Sequence, residues 1–174
     1  MMSWLSLFPI VLSFLLIGCS METTATSNTS VSSSQTIALA GQMLPISAEA
    51  ILPDGTRIQL EVARTPQQQA QGLMYRPALP DNRGMLFKFG TPRPVNFWMK
   101  NVPVPLDMVF LQNGVIQYIE VSAPPCRSEP CPTYGPNVPI DMVIELRSGR
   151  AAELDLQPGD QVKIEFFDGE NLPS

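Results

Sequence analysis

Alternation of apolar and polar residues is the dominant pattern along the middle of the chain. In residues 56–63, TRIQLEVA, the apolar side chains are Ile58, Leu60 and Val62, and polar residues occupy the positions between them. Because successive side chains of a β-strand point to opposite faces, this period of two predicts a half-buried strand. The same criterion predicts strands over residues 44–51, 84–89, 96–100, 107–121 with a tight hairpin at 112–114, 140–146 and 161–167. The chain should therefore contain about eight strands.

Helical patterns are few. The run Thr65-Pro66-Gln67-Gln68 combines an N-cap residue, proline at the first helical position and glutamine at N3, which predicts a short helix over residues 66–73. A second turn or two is expected over residues 148–154, before the helix-ending run at 157–160. Short strands with prolines between them are typical of a mainly β fold. We predict a compact antiparallel barrel or sandwich with one or two short helices on its rim.

The N-terminus has the pattern of an exported chain. Residues 1–18 contain no charged side chain, and residues 5–17 form an apolar run of the length of a secretory h-region. The run ends in Leu16-Ile17-Gly18-Cys19, which resembles the bacterial lipobox, in which the cysteine is acylated and becomes the first mature residue. We interpret residues 1–18 as a signal peptide and Cys19 as the lipidation site. An ordinary leader and a buried cytosolic helix are the alternatives.

A segment rich in serine and threonine follows, over residues 20–36. It is too polar to bury the surface that would offset the entropy of ordering, so residues 19–44 should be a lipid-bearing cysteine and a disordered tether. Residues 45–170 then form one β-rich globular domain, followed by a tail at 171–174. The formal charge of −5 lies wholly in the mature part. This charge argues against nucleic acid as a partner and against an electrostatic membrane patch, so membrane attachment is expected through the N-terminal lipid.

Two cysteines are left if Cys19 carries lipid, and they are Cys126 and Cys131 in PPCRSEPCP. In an exported chain such an even pair predicts one disulfide, which closes a short loop and adds only about 2 kcal/mol of stability. A metal or redox dithiol is the alternative. It is weakened by the four intervening residues and by the absence of histidine from the sequence. We therefore predict a structural disulfide, no metal site and no cofactor.

Three blocks of the domain resemble a known family in order and spacing. They are EVARTPQQQAQGLMYRPALPDNRGMLFKF, FWMKNVPVPLDMVFL and VIELRSGRAAELDLQPGDQV, within about residues 56–166. The family is the uncharacterised bacterial and archaeal group catalogued as domain of unknown function 192. One departure is Val102, where the family usually has threonine, so a hydroxyl group is lost next to the suspected site. The resemblance implies a mainly β, barrel-like or jelly-roll-like domain that is often exported, and it implies no established activity.

The segment NFWMKNVPVPLD, residues 96–107, holds the candidate site. Its two prolines favour an extended or turning backbone, and a chain reversal there would bring Lys100 and Asp107 together. One interpretation is an ion pair that fixes the register of two strands. The other is a ligand pocket, in which Trp98 is a stacking platform and the polar groups of Lys100, Asn101 and Asp107 orient the ligand.

Two residues outside this segment are candidates to join the pocket. Arg76 and Glu61 are polar residues beside apolar motif residues. A guanidinium group can bind a carboxylate or phosphate with two parallel hydrogen bonds, so Arg76 would clamp an anionic ligand. The alternative is that Arg76 is a structural partner for an acid such as Glu145.

The residue inventory gives little support to catalysis. The sequence has no histidine, no thiol is left once Cys19 is acylated and the other cysteines are paired, and no Gly-x-Ser-x-Gly motif is present. We therefore predict a membrane-anchored binding or accessory module of the cell envelope, for an unknown small molecule or envelope protein, with no catalytic residue assigned. One alternative is a glycan hydrolase that uses Glu61 with Asp107. The other is a Cu(I)-binding protein with thioether ligands from Met43, Met74, Met85, Met99, Met108 and Met142.

Overall fold

The computed structural model describes residues 40–167, which contain nine strands and two short helices. The strands are β1 (Ile46–Ile51), β2 (Arg57–Ala63), β3 (Arg83–Arg93), β4 (Phe97–Trp98), β5 (Leu106–Gln112), β6 (Val115–Ala123), β7 (Thr133–Tyr134), β8 (Ile140–Arg147) and β9 (Lys163–Phe166). The helices are α1 (Pro66–Gln71) and α2 (Arg150–Glu153). The prediction of a mainly β fold with one or two short helices is confirmed. The predicted leader, Cys19, the Ser/Thr-rich segment and the predicted tail lie outside the described residues.

Seven strands form one sheet in the order β6-β5-β8-β3-β2-β1-β9, and β4 pairs with β7 in a separate two-stranded ladder. All neighbouring strands are antiparallel except β2 and β3, which are parallel. Parallel strands need a long crossover connection, and residues 64–82, which include α1, supply it. The sequence pattern did not predict this parallel pair, because alternation along a strand does not specify the direction of its neighbour.

The two edges of the sheet approach each other at one end without closing a barrel. An isolated antiparallel bridge joins Val115, at the start of β6, to Gln161, just before β9. The backbone N–H of Val162 donates a hydrogen bond of 2.8 Å to the carbonyl oxygen of Gly114. Within residues 40–167 no continuous ladder connects β6 with β9. Of the two predicted architectures, the structure is therefore a compact sandwich rather than a closed barrel.

Hydrophobic cores cover both faces of the seven-stranded sheet. Along β5, Val109 belongs to one core and Phe110 to the other, as strand alternation requires. The first, called here the α2-side core, comprises Ala48, Ala50, Leu52, Ile58, Leu60, Val62, Leu86, Val109, Leu111, Ile116, Ile144, Leu146, Ala151, Leu156 and Val162. The second, called the β4-side core, comprises Ala63, Leu73, Leu79, Met85, Phe87, Val95, Met99, Val102, Leu106, Met108, Phe110, Ala123, Ile140 and Val143. Because both faces are covered, an ionisable side chain on a central strand is shielded from water. It must therefore have a hydrogen-bonding or ionic partner, or be neutralised by its state of protonation.

The methionines are distributed between these cores and the surface. Met85, Met99 and Met108 are at most 1% exposed in the β4-side core, whereas Met142 packs against the α2-side core and Met43 is 72% exposed. Thioether groups on opposite faces of a sheet cannot bind one ion together. The fold therefore does not bring the six methionines into a single copper site.

The N-terminus of α1 has the capping box that the sequence predicts. The side chain of Thr65 accepts a hydrogen bond from the backbone N–H of Gln68, and the side chain of Gln68 accepts one from the backbone of Thr65. The side-chain amide of Gln69 then donates to the carbonyl oxygens of Ala63 and Lys88. These last bonds tie α1 to β2 and β3.

Residues immediately before β1 are bonded to the rest of the domain. The side-chain amide of Gln42 donates to two carbonyl oxygens at the end of α1, at 2.8 and 2.9 Å. The backbone N–H of Leu44 donates to a carboxylate oxygen of Glu61 at 2.8 Å. Residues 42 and 44, which the sequence places at the end of the tether, thus contact the domain directly.

Candidate functional site

Strand β4 presents one aromatic residue to the core and the next to the surface. The ring of Phe97 makes T-shaped contacts with Phe87 and Phe110, at centroid distances of 4.9 and 5.9 Å. Trp98 is 48% exposed. The ammonium group of Lys100 lies 5.5 Å from the centroid of the Trp98 ring, within the range of a cation–π contact. Trp98 and Lys100 therefore form an exposed aromatic and cationic pair, a contact that the sequence analysis did not predict.

Asn101 turns the chain after β4, which is why this strand is shorter than the predicted 96–100. Its backbone has a positive φ of 59°, a conformation that asparagine adopts more readily than most residues. The carbonyl oxygen of Asn101 accepts a hydrogen bond of 2.8 Å from the backbone N–H of Tyr75. Its side-chain amide lies 3.9 Å from the sulfur of Met74. The contacts of Asn101 therefore fix this turn to the segment after α1.

Asp107 does not form the predicted contact with Lys100. Its side chain is fully buried and accepts hydrogen bonds from the backbone N–H groups of Ser122 at 2.8 Å, Gly149 at 3.0 Å and Ala151 at 2.9 Å. Ala151 belongs to α2 and to the α2-side core. Strand alternation along β5 directs Asp107 to that face, whereas Lys100 follows β4 on the other face. Asp107 is therefore an anchor for the backbone around α2.

Lys100 pairs instead with Glu129. Its ammonium group contacts the carboxylate of Glu129, and this contact lowers the pKa of that carboxyl through a hydrogen bond and through charge. Glu129 lies in the loop between Cys126 and Cys131, which are joined by a disulfide as the sequence predicts. Both partners of the ion pair are more than one-third exposed, so the pair contributes little to stability.

Arg76 and Glu61 form a buried ion pair. Nη1 of Arg76 lies 2.7 Å from Oε2 of Glu61, and the two side chains are 8% and 3% exposed. The backbone N–H of Leu44 donates to the same oxygen, and a Cβ added at Gly41 would lie only 2.3 Å from Cγ of Arg76. The partner of Arg76 is therefore Glu61 and not Glu145, the acid that the sequence suggests. The segment before β1 packs directly against this pair.

The carboxylate pair proposed for a glycan hydrolase is not assembled. Glu61 alternates along β2 with residues of the α2-side core and so points to the opposite face, whereas Asp107 points toward α2. Each carboxylate is also engaged by buried hydrogen-bond donors. Two carboxylates on opposite faces of a sheet cannot flank one glycosidic bond, so this pair cannot perform such a hydrolysis.

Glu145 is a buried acid without a counter-ion among residues 40–167. It lies in β8 between Met85 of β3 and Met108 of β5, which are its neighbours across the two ladders, and it is 4% exposed. Its Oε2 atom has no hydrogen-bond partner in the described part of the chain. Burial raises the pKa of this carboxyl from 4.5 to about 8, so Glu145 is mostly uncharged at neutral pH.

A narrow cavity of about 30 Å³ lies against Glu145. Its walls come from α1, β3, β4 and the segments that follow α1 and β4, together with Glu145, and they include Gln69, Gly72, Phe87, Trp98, Lys100 and Val102. A water molecule needs about 10–15 Å³ of such volume, so the cavity accepts only one or two small groups. Val102 gives this part of the wall an apolar surface.

A wider cavity of about 250 Å³ adjoins the narrow one. The two share the lining residues Gln69, Ala70, Phe87, Phe97 and Trp98. Further walls of the wider cavity come from Phe89, Arg93, Val95 and Asn96. We call the two cavities together the β4 cleft. Aromatic side chains and several polar groups line this cleft, and such a combination is found in small-molecule sites.

The structure divides the six residues that the sequence assigns to a ligand site. Trp98 and Lys100 line the β4 cleft. Asn101 lines a different cavity, of about 210 Å³, beside the disulfide loop, and Lys100 contributes to that cavity as well. The remaining three are engaged in the buried contacts already described and line neither part of the cleft, namely Arg76, Glu61 and Asp107.

Glu145 is the site residue that sequence reasoning missed. The sequence gives no clear indication of it, because in IDMVIEL one alternating set is apolar throughout, whereas the other is Asp141, Val143 and Glu145. That alternation is typical of a half-buried strand with its acids on the solvent side. The structure covers both faces of β8, so the buried acid must either find a partner or stay protonated. The sequence alone does not distinguish these two outcomes.

The fold and the site define a β sandwich with a small cleft of aromatic and polar side chains and a buried acid beside it. The chain belongs to the DUF192 family, described as Uncharacterized ACR, COG1430, which it matches over residues 49–164. This match confirms the family resemblance of the sequence motifs. Among residues 40–167, no helix is long and apolar enough to cross a membrane.

Two solved structures are similar to this chain. One, from Sinorhizobium meliloti 1021, is described provisionally as a transcription regulator; it is 37% identical, with a TM-score of 0.62, and the match covers 70% of this chain and 97% of that chain. The other, a protein of unknown function from Novosphingobium aromaticivorans DSM 12444, is 33% identical, with a TM-score of 0.60 and coverage of 67% and 83%. No curated protein matches the chain. Function must therefore be argued from the site.

Proposed function

We propose that this protein is a lipid-anchored module of the cell envelope that binds a small molecule in the β4 cleft. Of the residues that line the narrow cavity, Trp98 and Lys100 are exposed by more than one-third, whereas Glu145 is buried. The aromatic walls would provide apolar contact, while Glu145 would orient a polar group of the ligand. Binding, rather than catalysis, is the simplest activity for a cleft whose ionisable side chains are one mostly uncharged acid, one arginine and one lysine that already has a partner.

The observation that carries the proposal is the buried Oε2 atom of Glu145, which has no partner among residues 40–167. An unsatisfied buried polar group costs about 1–3 kcal/mol, and an apolar side chain of similar size would avoid that cost. Functional sites typically contain residues that line a cavity and make the folded protein less stable than an apolar replacement would. As a neutral acid, Glu145 can donate one hydrogen bond, and the narrow cavity admits only a small acceptor such as a carbonyl or hydroxyl oxygen.

Ligands of the cleft should change the fluorescence of Trp98. The sequence contains two tryptophans, Trp4 and Trp98, and Trp4 lies in the leader that the proposal removes, so Trp98 is the only reporter in the processed protein that begins at Cys19. In a screen of fragments that carry a carbonyl or hydroxyl group, we expect hits whose affinity falls about tenfold in Glu145→Leu, which removes the hydrogen-bond donor. Glu145→Gln retains a donor and should keep most of the affinity.

Glu120→Leu is the control for this experiment, because Glu120 lines neither part of the cleft and its carboxylate accepts a hydrogen bond from Tyr118. It should bind the same fragments as the parent protein. If leucine at position 145 prevents folding, Glu145→Met replaces it. A screen in which no fragment perturbs Trp98, or in which the hits bind the leucine or methionine variant as tightly as the parent, would contradict the proposal.

Membrane attachment is expected to depend on Cys19. The proposal is supported by Leu16-Ile17-Gly18-Cys19 at the end of an apolar leader. Intact mass of protein purified from membranes should correspond to a chain that begins at Cys19 and carries two or three acyl groups. Cys19→Ala should leave the membrane fraction or stay unprocessed, whereas the paired change of Cys126 and Cys131 to alanine should keep normal attachment. Unchanged processing and membrane binding of Cys19→Ala would refute lipidation.

A further inference from the structure

We infer that the β4 cleft takes a planar aromatic anion, with its charge at Arg93, its ring along the aromatic wall and a hydrogen-bond acceptor at Glu145. The inference rests on the proposed function and specifies the ligand class of the same site. Three features of the cleft carry it: an aromatic wall, a cation that forms no ion pair within residues 40–167, and a buried polar atom at the far end.

Four aromatic side chains line the wider cavity and can pack against a flat apolar group. Phe87, Phe89, Phe97 and Trp98 all line it, and the rings of Phe89 and Phe97 meet edge to face at a centroid distance of 6.4 Å. An aromatic ligand continues such edge and face contacts, which favour aromatic over aliphatic groups of equal size. The volume of about 250 Å³ lies below the range of roughly 300–1,000 Å³ of drug-sized pockets, so the ligand should have one or two rings.

Arg93 gives the open end of this cavity a positive charge. Its guanidinium group lies 5.1 Å from the centroid of the Phe89 ring, and it forms no ion pair within the described part of the chain. Lys100, the other cation of the cleft, is already paired with Glu129. Although the chain carries a formal charge of −5, the only acid among the described residues that line the cleft is the mostly uncharged Glu145. The cleft is therefore complementary to an anion, and Arg93 can bind a carboxylate with two hydrogen bonds.

Register along β8 sets the distance between the two polar ends. Glu145 pairs with Met85, and Ile140 pairs with Arg93, so the two groups are separated along the strand by the rise from residue 140 to residue 145. At about 3.3 Å per residue this is roughly 16 Å between Cα positions. The side chain of Arg93 folds over Phe89 and so shortens the gap. The acceptor of the ligand must therefore lie at the end opposite to its charge.

Matched probes can test each feature separately by titration calorimetry of the full-length protein. The probes are 4′-acetylbiphenyl-4-carboxylate and its one-ring analogue 4-acetylbenzoate. For each length, a carboxamide removes the charge and an ethyl group in place of acetyl removes the acceptor. We expect at least one keto carboxylate to bind at least about tenfold more tightly than its carboxamide, and Arg93→Gln to abolish that difference. Loss of the acetyl group should weaken binding to the parent protein but not to Glu145→Leu.

Arg57→Gln is the control, because Arg57 pairs with Glu49 and lines neither part of the cleft; it should behave as the parent protein. Equal binding of carboxylate and carboxamide, or unchanged carboxylate affinity in Arg93→Gln, would overturn the inference. If the carboxamide still binds in a way that depends on Glu145, the proposed function stands without the anion. If no probe of either length binds, the inference fails as well, and the fragment screen with Trp98 decides independently about the proposed function.

Discussion

Asp107→Ala should lower the free energy of unfolding by about 3–5 kcal/mol. The carboxylate is fully buried and accepts three backbone hydrogen bonds, from Ser122, Gly149 and Ala151. Hydrogen bonds to a charged group contribute about 1.5–3 kcal/mol each, and the alanine variant would leave three N–H groups without this acceptor. The total stays below the simple sum because α2 can shift and admit water. Ser122 and Gly149 both have positive φ, a conformation that costs energy for most residues. Their hydrogen bonds to Asp107 help to hold the backbone in this conformation.

Urea unfolding of the variant and the parent protein at pH 7 measures this effect. Asp160→Ala is the matched control, because its carboxylate accepts a backbone hydrogen bond from Gln157 in an exposed turn; it should cost about 1 kcal/mol or less. Asp107→Asn should fall between the two, since it keeps one side-chain oxygen. A loss below about 1 kcal/mol in Asp107→Ala would show that its three bonds do not organise the α2 region.

Arg76→Met should be about as destabilising, by about 3–5 kcal/mol, because it leaves Glu61 buried without its counter-ion. The variant also loses the bond of 3.3 Å from Arg76 to the backbone carbonyl of Gln42, which helps to hold the segment before β1. The double variant Arg76→Met with Glu61→Leu removes both charges. It should recover most of the lost stability, since an apolar pair can replace a buried ion pair at little cost.

The exposed pair of Arg57 and Glu49 is the comparison for this experiment. The side chain of Arg57 is 56% exposed, so Arg57→Met should change stability by less than about 1 kcal/mol. Chemical denaturation of all four proteins in one buffer gives the required differences. If the double variant is as unstable as Arg76→Met alone, the unpaired carboxylate of Glu61 is not the cause of the loss.

Much of the fold can be predicted from this sequence because its signals are local. Alternation specifies the strands of the main sheet, and the Thr65 capping box specifies α1. The hairpin turn is specified by Asn113 and Gly114, which both have positive φ as a tight turn requires. Strand β7 and the parallel pairing of β2 with β3 were not predictable, because both depend on contacts between distant segments.

The candidate site was predictable only where its residues share one short segment. Trp98 ends β4 and Lys100 follows it closely, and the structure keeps them together. Asp107 is close in sequence, but β5 directs it to the other face of the sheet. Glu145 is distant in sequence, and the ladders with β3 and β5 place it between the methionines of those strands. Closeness in sequence therefore wrongly included Asp107 and wrongly left out Glu145, because sheet topology decides which side chains meet.

Protonation of Glu145 should make the stability of the domain depend on pH. The folded state keeps the proton of this carboxyl up to about pH 8, whereas the unfolded chain loses it near the ordinary value of 4.5. The stabilisation that protonation provides is therefore complete below pH 4.5 and decreases as the pH rises toward 8. The slope approaches about 1.4 kcal/mol per pH unit inside this window. Glu145→Gln should remove this contribution and be more stable than the parent protein at about pH 8.

Whether a buried neutral acid serves the β4 cleft is decided by the pKa of Glu145 itself. Carbon-13 NMR of the glutamate carboxyl groups, recorded from about pH 4 to about pH 9, identifies Glu145 as the resonance that is missing from Glu145→Gln. We predict that this resonance titrates with a pKa of about 8, because burial disfavours the charged form. A titration near 4.5 would mean that the carboxylate is charged and solvated in the folded protein, and it would contradict a neutral acid in the cleft.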